Sequence, residues 1–320
     1  MWIDIALLIL GLIVLIVGGE FLVKGAVGIA EKAHLSKLVI GMTVVSFGTS
    51  APELIVSLKA AFEGAPDIAM GNVIGSNIAN IALVLGITVL IFPIVVDRNS
   101  KVLDWPMMML ASILFYVFAF DLNLQRWEGA VMFAILVAFI TYLIVNSRKK
   151  TKLELRSDVQ KETTPVSVSV PKSVGFLFLG LVGLYFGAEW LLNGSVSLAK
   201  SAGMSERVIG ITIIAFGTSV PELVTCAVAA YRRETDISIG NLIGSNIFNI
   251  FAVIGLTSII HPIDVSQASV SWDMIWMLAI VLLLLPLMII GKKFGRLKGF
   301  TLLLTYVLYI VLLLFQNSLT

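Results

Sequence analysis

Apolar runs of about twenty residues, the length a helix needs to cross a hydrocarbon layer of about 30 Å, recur along the whole chain. They cover residues 3–25, 38–62, 68–91, 105–120, 127–146, 173–197, 207–231, 237–259, 271–290 and 298–316, which predicts ten transmembrane helices. One longer hydrophilic stretch, 147–172, divides the ten into five and five. Inside the apolar runs the polar interruptions gather in two nearly identical blocks. Residues 41–81 contain GTSAPEL and GNVIGSNIANI, and residues 210–250 contain GTSVPEL and GNLIGSNIFNI. The offset of 169 that relates Glu53 to Glu222 also relates Glu20 to Glu189, Asn80 to Asn249 and Pro93 to Pro262 without a gap. The matching positions are rich in polar residues, which are expensive in hydrocarbon unless they are satisfied, and this marks them as functional candidates.

At 58% hydrophobic and 13% charged residues, with a mean hydropathy of +1.02, the chain lies outside the range of soluble domains. The expected fold class is an all-α integral membrane protein whose ten helices form two five-helix repeats, 1–146 and 173–320, joined by a linker at 147–172. The first apolar run has neither a basic start nor a small-residue cleavage site, so it is expected to remain in the mature chain. Cys226 is the single cysteine and reads as a packing residue; His34 and His261 stand in no metal-ligand spacing.

The net charge of +2 says less than its distribution. Arg148, Lys149, Lys150, Lys152, Arg156 and Lys161 crowd the linker, and basic loops stay in the cytoplasm. With the linker inside, five crossings put the N-terminus outside and ten put the C-terminus outside. The loops carrying Lys32 and Lys37, Arg98 and Lys101, Arg232 and Arg233, and Lys292 to Lys298 then all fall inside. An odd number of crossings per repeat makes the second copy enter from the opposite side, so the repeats are expected to be inverted and to bring their motifs together near the midplane.

The motifs offer oxygen. Pro52 has no N–H, which deprives the Gly48 carbonyl of its helical donor, and Pro221 with Gly217 repeats the device. Ser50 and Glu53 share a helical face; Asn72, Ser76 and Asn80 line another, matched by Asn241, Ser245 and Asn249. Gly71 with Gly75, and Gly240 with Gly244, are GxxxG steps suited to close helix approach. Carboxylate, hydroxyl, amide and released backbone oxygens suit a hard cation, Ca²⁺ or Na⁺, better than zinc or copper. Each element also has a plain structural reading: acids held neutral, hydroxyls bonded back to their own helix, amides bonded between helices. Glu20 has Lys24 one turn on, which favours a salt bridge over ion binding.

GTSxPE paired with GNxxGSNxxN, present twice, resembles the α-repeats of the calcium/cation antiporter superfamily, in particular its prokaryotic sodium/calcium exchanger branch. The resemblance implies that Ser46, Thr49, Ser50, Glu53, Ser76 and Asn80, with Ala215, Thr218, Ser219, Glu222, Ser245 and Asn249, line four adjacent cation sites. It implies that Glu53 and Glu222 bind Ca²⁺, that Ser46 and Ala215 offer backbone carbonyls, and that the first and sixth helices slide to switch access. Some members have Asp where this chain has Asn80 or Asn249, which leaves stoichiometry and potassium coupling open. The expected function is a secondary active antiporter in the cell (inner) membrane, exporting Ca²⁺ in exchange for Na⁺ by alternating access. Proton-coupled and K⁺-dependent exchange are the alternatives, and a cation channel is a rival of another class. No His or Lys stands beside Ser50 or Ser219 to serve as a base, so no enzyme activity is expected. No cofactor, nucleic acid or obligatory protein partner is expected; the environment is the lipid bilayer.

Overall fold

The computed structural model describes residues 2–157, 169–203, 215–291 and 293–319. Eight helices among the described residues are long and apolar enough to cross a membrane, and a bent pair makes nine if it is counted as one span. In chain order the helices are α1 (Trp2–Ala33), the bent pair α2 (Lys37–Thr49) and α3 (Ala51–Phe62), α4 (Pro66–Ile91), α5 (Ser100–Asp121) and α6 (Arg126–Ser157). They continue as α7 (Val170–Ser201), the short α8 (Ala215–Thr218), α9 (Val220–Tyr231), α10 (Thr235–Ile260), α11 (Ser269–Ile289) and α12 (Arg296–Leu319). The span expected over 207–231 lies partly outside the described residues. α6 stays helical to Ser157 and α7 starts at Val170; most of the residues between them lie outside those described.

The repeat in the sequence is also a repeat in the structure. α3 and α9 begin and end 169 residues apart, as do α4 and α10, and the first residues of α5 and α11 keep the same interval. Packing nevertheless divides the chain along other lines, into Met1–Thr49 with Val137–Asn241, and Ser50–Leu136 with Leu242–Thr320. Each unit draws residues from both sequence halves.

In the first unit, α1 and α7 hold the same place in the two halves and run antiparallel, with Gly11 against Leu191, Gly18 against Leu184 and Gly25 against Leu177. These glycines recur every seven residues, which keeps them on one stripe of a slightly supercoiled helix. A Cβ at Gly11 would stand 2.7 Å from the Leu191 nitrogen and 2.8 Å from the Gly187 carbonyl, so only glycine lets the backbones come this close. Leu15, Leu22, Ala26, Leu184, Val220 and Ala229 fill the core around this pair.

In the second unit, α12 packs on α4, α11 packs on α5, and Phe115, Phe251, Met108 and Ile78 are fully buried. Two strands, β1 (Asn123–Leu124) and β2 (Ile263–Asp264), pair antiparallel. An isolated antiparallel bridge joins Ile94 to Phe294 through bonds of 3.1 and 2.8 Å. Ile94 and Ile263 are 169 apart, so each half lends its loop a partner from the other half.

Candidate functional site

The bend between α2 and α3 measures 42° and centres on Ser50, whose ψ of 4° is outside the helical range. Pro52 at the start of α3 explains it, since proline opens a helix well and continues one poorly. Ser219, with ψ of 3° before Pro221, repeats the break between α8 and α9. Each break puts its glutamate, Glu53 or Glu222, in the first turn of the following helix, and both are fully buried.

Within the second unit, α3 packs against α4 and against residues 249–254 of α10. That packing gathers the elements bearing Ser50, Glu53, Ser76, Asn80, Ser245 and Asn249. Asn249 Nδ2 donates to Ser76 Oγ at 3.0 Å, joining the two motif copies directly. Ser76 Oγ donates in turn to the Val73 carbonyl at 3.1 Å. Asn72 Nδ2 donates to the Glu53 carbonyl at 3.1 Å and to Ser57 Oγ at 3.0 Å. Asn72 therefore braces the turn that carries Glu53.

The first unit holds Ser46, Thr49, Thr218, Ser219 and Glu222, with the end of α2 packed on α9. Ser46 Oγ donates to the carbonyls of Gly41 at 2.7 Å and Asn241 at 3.0 Å. Thr49 Oγ1 lies 3.2 Å from Asn241 Oδ1. Ala215 is described here by its backbone alone, as the first residue of α8.

Orphaned buried oxygens test the fit to a cation. Asn80 Oδ1, Asn249 Oδ1 and Ser219 Oγ have no hydrogen-bond partner among the described residues. An unmet buried acceptor costs about 1–3 kcal/mol, and a metal ion removes that cost. Among the described residues no three of His, Cys, Asp and Glu come together, so neutral oxygens would form most of any shell. Such a shell suits an ion that also leaves.

Sequence reasoning missed the π turns. Residues 79–84 of α4 and 249–254 of α10 are wound as π helix, so Asn80 and Asn249 sit where the regular ladder changes step. π turns of this kind concentrate at functional sites, but no residue type dictates them. Glu20 pairs with Arg232 and not with Lys24, while Glu189 is exposed. Of the two GxxxG steps, Gly240 packs with 3.2 Å between its would-be Cβ and the Gly41 Cα; at Gly71 and Gly75 no described atom comes within 4 Å. Cys226 is buried as expected, and it also accepts from Asn241 Nδ2 at 3.4 Å.

The profile of the family described as "Sodium/calcium exchanger protein" matches residues 3–145 and 172–315. Sodium/calcium exchanger MaX1 of Methanosarcina acetivorans is 32% identical over 349 residues, covering 98% of this chain and 99% of that protein. Inner membrane protein YrbG of Escherichia coli is 34% identical over 270 residues, 84% of this chain and 83% of its own. The solved structure of the sodium-calcium exchanger NCX_Mj soaked with 2.5 mM Na⁺ and 0.1 mM Ca²⁺ superposes with a TM-score of 0.82 at 32% identity, covering 96% of this chain and 97% of that one.

Proposed function

Because this chain belongs to the sodium/calcium exchanger protein family and is a multi-pass membrane protein, we propose that it is a secondary active antiporter that exports Ca²⁺ in exchange for Na⁺ by alternating access. The observation that carries the reading is the pair of buried, oxygen-only motifs at matched positions, joined through Asn249 and Ser76. Glu53 and Glu222 supply the two negative charges that balance Ca²⁺, and the hydroxyls and amides of Thr49, Ser50, Ser76, Asn80, Thr218, Ser219, Ser245 and Asn249 complete the shells. Ser46 and Ala215 contribute backbone carbonyls. Desolvating a divalent ion requires this many oxygens, since Ca²⁺ takes about 6–8 of them.

The two five-helix repeats, 1–146 and 173–320, are read as inverted. Supporting this, α1 and α7 hold equivalent places and run antiparallel. We read the linker as cytoplasmic and both termini as outside, in the cell (inner) membrane, on the distribution of basic residues.

Counterflow in proteoliposomes decides the coupling ion. Preloaded vesicles should take up ⁴⁵Ca²⁺ when a Na⁺ gradient is imposed, and should not do so with a pH or K⁺ gradient alone. Uptake driven by pH would make the protein a proton-coupled exchanger, and uptake that needs K⁺ together with Na⁺ would make it K⁺-dependent. Uptake without trans-stimulation would indicate a channel.

A further inference from the structure

The turns that follow α3 and α9 share one backbone and differ in charge. Glu63, Gly64 and Ala65 donate their backbone amides to the carbonyls of Lys59, Ala61 and Ala60; Arg232, Arg233 and Glu234, each 169 residues on, donate to Val228, Ala230 and Ala229. Gly64 and Arg233 both hold the left-handed region, with φ of 71° and 63°. A side chain is disfavoured there, so the second turn carries Arg233 against its backbone preference. The second turn is also tied down. Arg232 pairs with Glu20 of α1, and Glu234 takes the ammonium of Lys37, at the start of α2, on both carboxylate oxygens at 2.9 and 2.7 Å. All four of these residues belong to the first unit.

Neither tie can be repeated in the other copy. The positions related to Glu20 and Arg232 hold Glu189 and Glu63, two acids, and those related to Lys37 and Glu234 hold Glu206 and Ala65. Glu63 has Lys59 of its own helix at 3.8 Å instead. We propose that Glu20 and Arg232 form a one-sided latch, holding α1 to the α9–α10 turn in one access state of the transport cycle and having no counterpart in the other. The proposal rests on the alternating-access reading, in which α1 moves against the rest of the bundle. Inverted repeats pass between states by taking on each other's arrangement, and Glu189 with Glu63 cannot make the bond that Glu20 makes with Arg232. Lys24 lies one turn beyond Glu20 on α1, and a glutamate four residues before a lysine pairs with it on a helix. The released carboxylate therefore changes partner, and the latch opens without leaving a charge alone.

Initial rates of Ca²⁺ flux in right-side-out and in inside-out vesicles give an apparent KM at each face. The ratio of the two follows the equilibrium between the access states, because each apparent affinity is reduced by the fraction of protein open to that face. Glu20→Gln and Arg232→Gln should each shift the ratio in the same direction by about two- to fivefold, the worth of a partly exposed ion pair. Lys24→Gln, which removes the alternative partner, should shift it the opposite way. Glu20→Arg combined with Arg232→Glu should reverse the shift of the single variants. A ratio unchanged in Glu20→Gln and Arg232→Gln, or two KM values that rise together, would make the ion pair a static brace and overturn the latch, with the exchange activity left standing. Absence of Na⁺-driven exchange in the wild-type protein would instead defeat the antiporter reading, and the latch with it.

Discussion

The amide of Asn249 donates to the hydroxyl of Ser76 at 3.0 Å across 173 positions of sequence. This bond joins the corresponding stripes of the two motif copies, and it leaves Asn249 Oδ1 without a partner among the described residues. Ser76→Ala would leave the Asn249 N–H unmet in a buried place, at a cost of about 1–3 kcal/mol. A lower melting temperature of the purified variant in detergent, together with a raised KM for cation, is the expected result. An unchanged melting temperature would show that the bond contributes nothing.

Glu53→Gln and Glu222→Gln should each abolish Ca²⁺ transport with the fold intact. A divalent ion stripped of water needs full charge compensation, and glutamine keeps the shape of the side chain without its charge. Vesicle ⁴⁵Ca²⁺ uptake alongside a size-exclusion profile checks both halves of the statement. Wild-type uptake in either variant would remove that glutamate from the site.

Gly11→Ala should disrupt the α1–α7 seam, since its Cβ would meet backbone atoms of α7 at 2.7 and 2.8 Å and the helices would have to part. Overpacking of this kind costs about 1–3 kcal/mol or more. Gly175→Ala is the control, because no described atom lies within 4 Å of its Cβ. Thermal denaturation of the two variants should separate them clearly.

Single cysteines at the exposed positions Lys149 and Gln267, in a Cys226→Ser background, should react with a membrane-impermeant maleimide from opposite sides. The basic stretch around Lys149 is the side proposed to be cytoplasmic, whereas residues 261–272 carry no Lys or Arg. Labelling of both from one side would refute the proposed topology.

Exchange should be electrogenic. We propose, from the family resemblance, that three Na⁺ exchange for one Ca²⁺; three Na⁺ carry one charge more than one Ca²⁺, and moving one charge through 100 mV is worth about 2.3 kcal/mol. Inside-negative vesicles should therefore take up Na⁺ and expel Ca²⁺ faster than unpolarised ones, read as flux under a valinomycin clamp with K⁺ dependence controlled. Flux indifferent to voltage would indicate two Na⁺ per Ca²⁺ or another coupling ion.

Eight of the apolar spans and the breaks at Ser50 and Ser219 were legible because apolar length and proline act locally. The family was legible in GTSxPE and GNxxGSN. The partner of Glu20 was not: Lys24 is one turn away in sequence, but Arg232 at the end of α9 reaches it in space. Nor could periodicity divide the Asn72, Ser76 and Asn80 stripe. All three share a face, and only the structure shows Asn72 bonded to the Glu53 turn while the Asn80 amide has no partner among the described residues. The GxxxG steps carry the same letters in both copies, yet Gly240 is packed on Gly41 and Gly71 is exposed. Identical sequences cannot predict different surroundings.

The glycine seam between α1 and α7 bears on how the chain is made. α1 leaves the ribosome well over a hundred residues before α7 exists, so during synthesis its glycine stripe faces lipid with no backbone to receive it. Ile94 and Leu124 wait in the same way for Phe294 and Ile263. The first half is thus an unfinished product on release from the translocon, open to proteolysis until its twin arrives. A nonsense mutation in the linker should leave no stable fragment, and supplying the missing half from a second gene should rescue it.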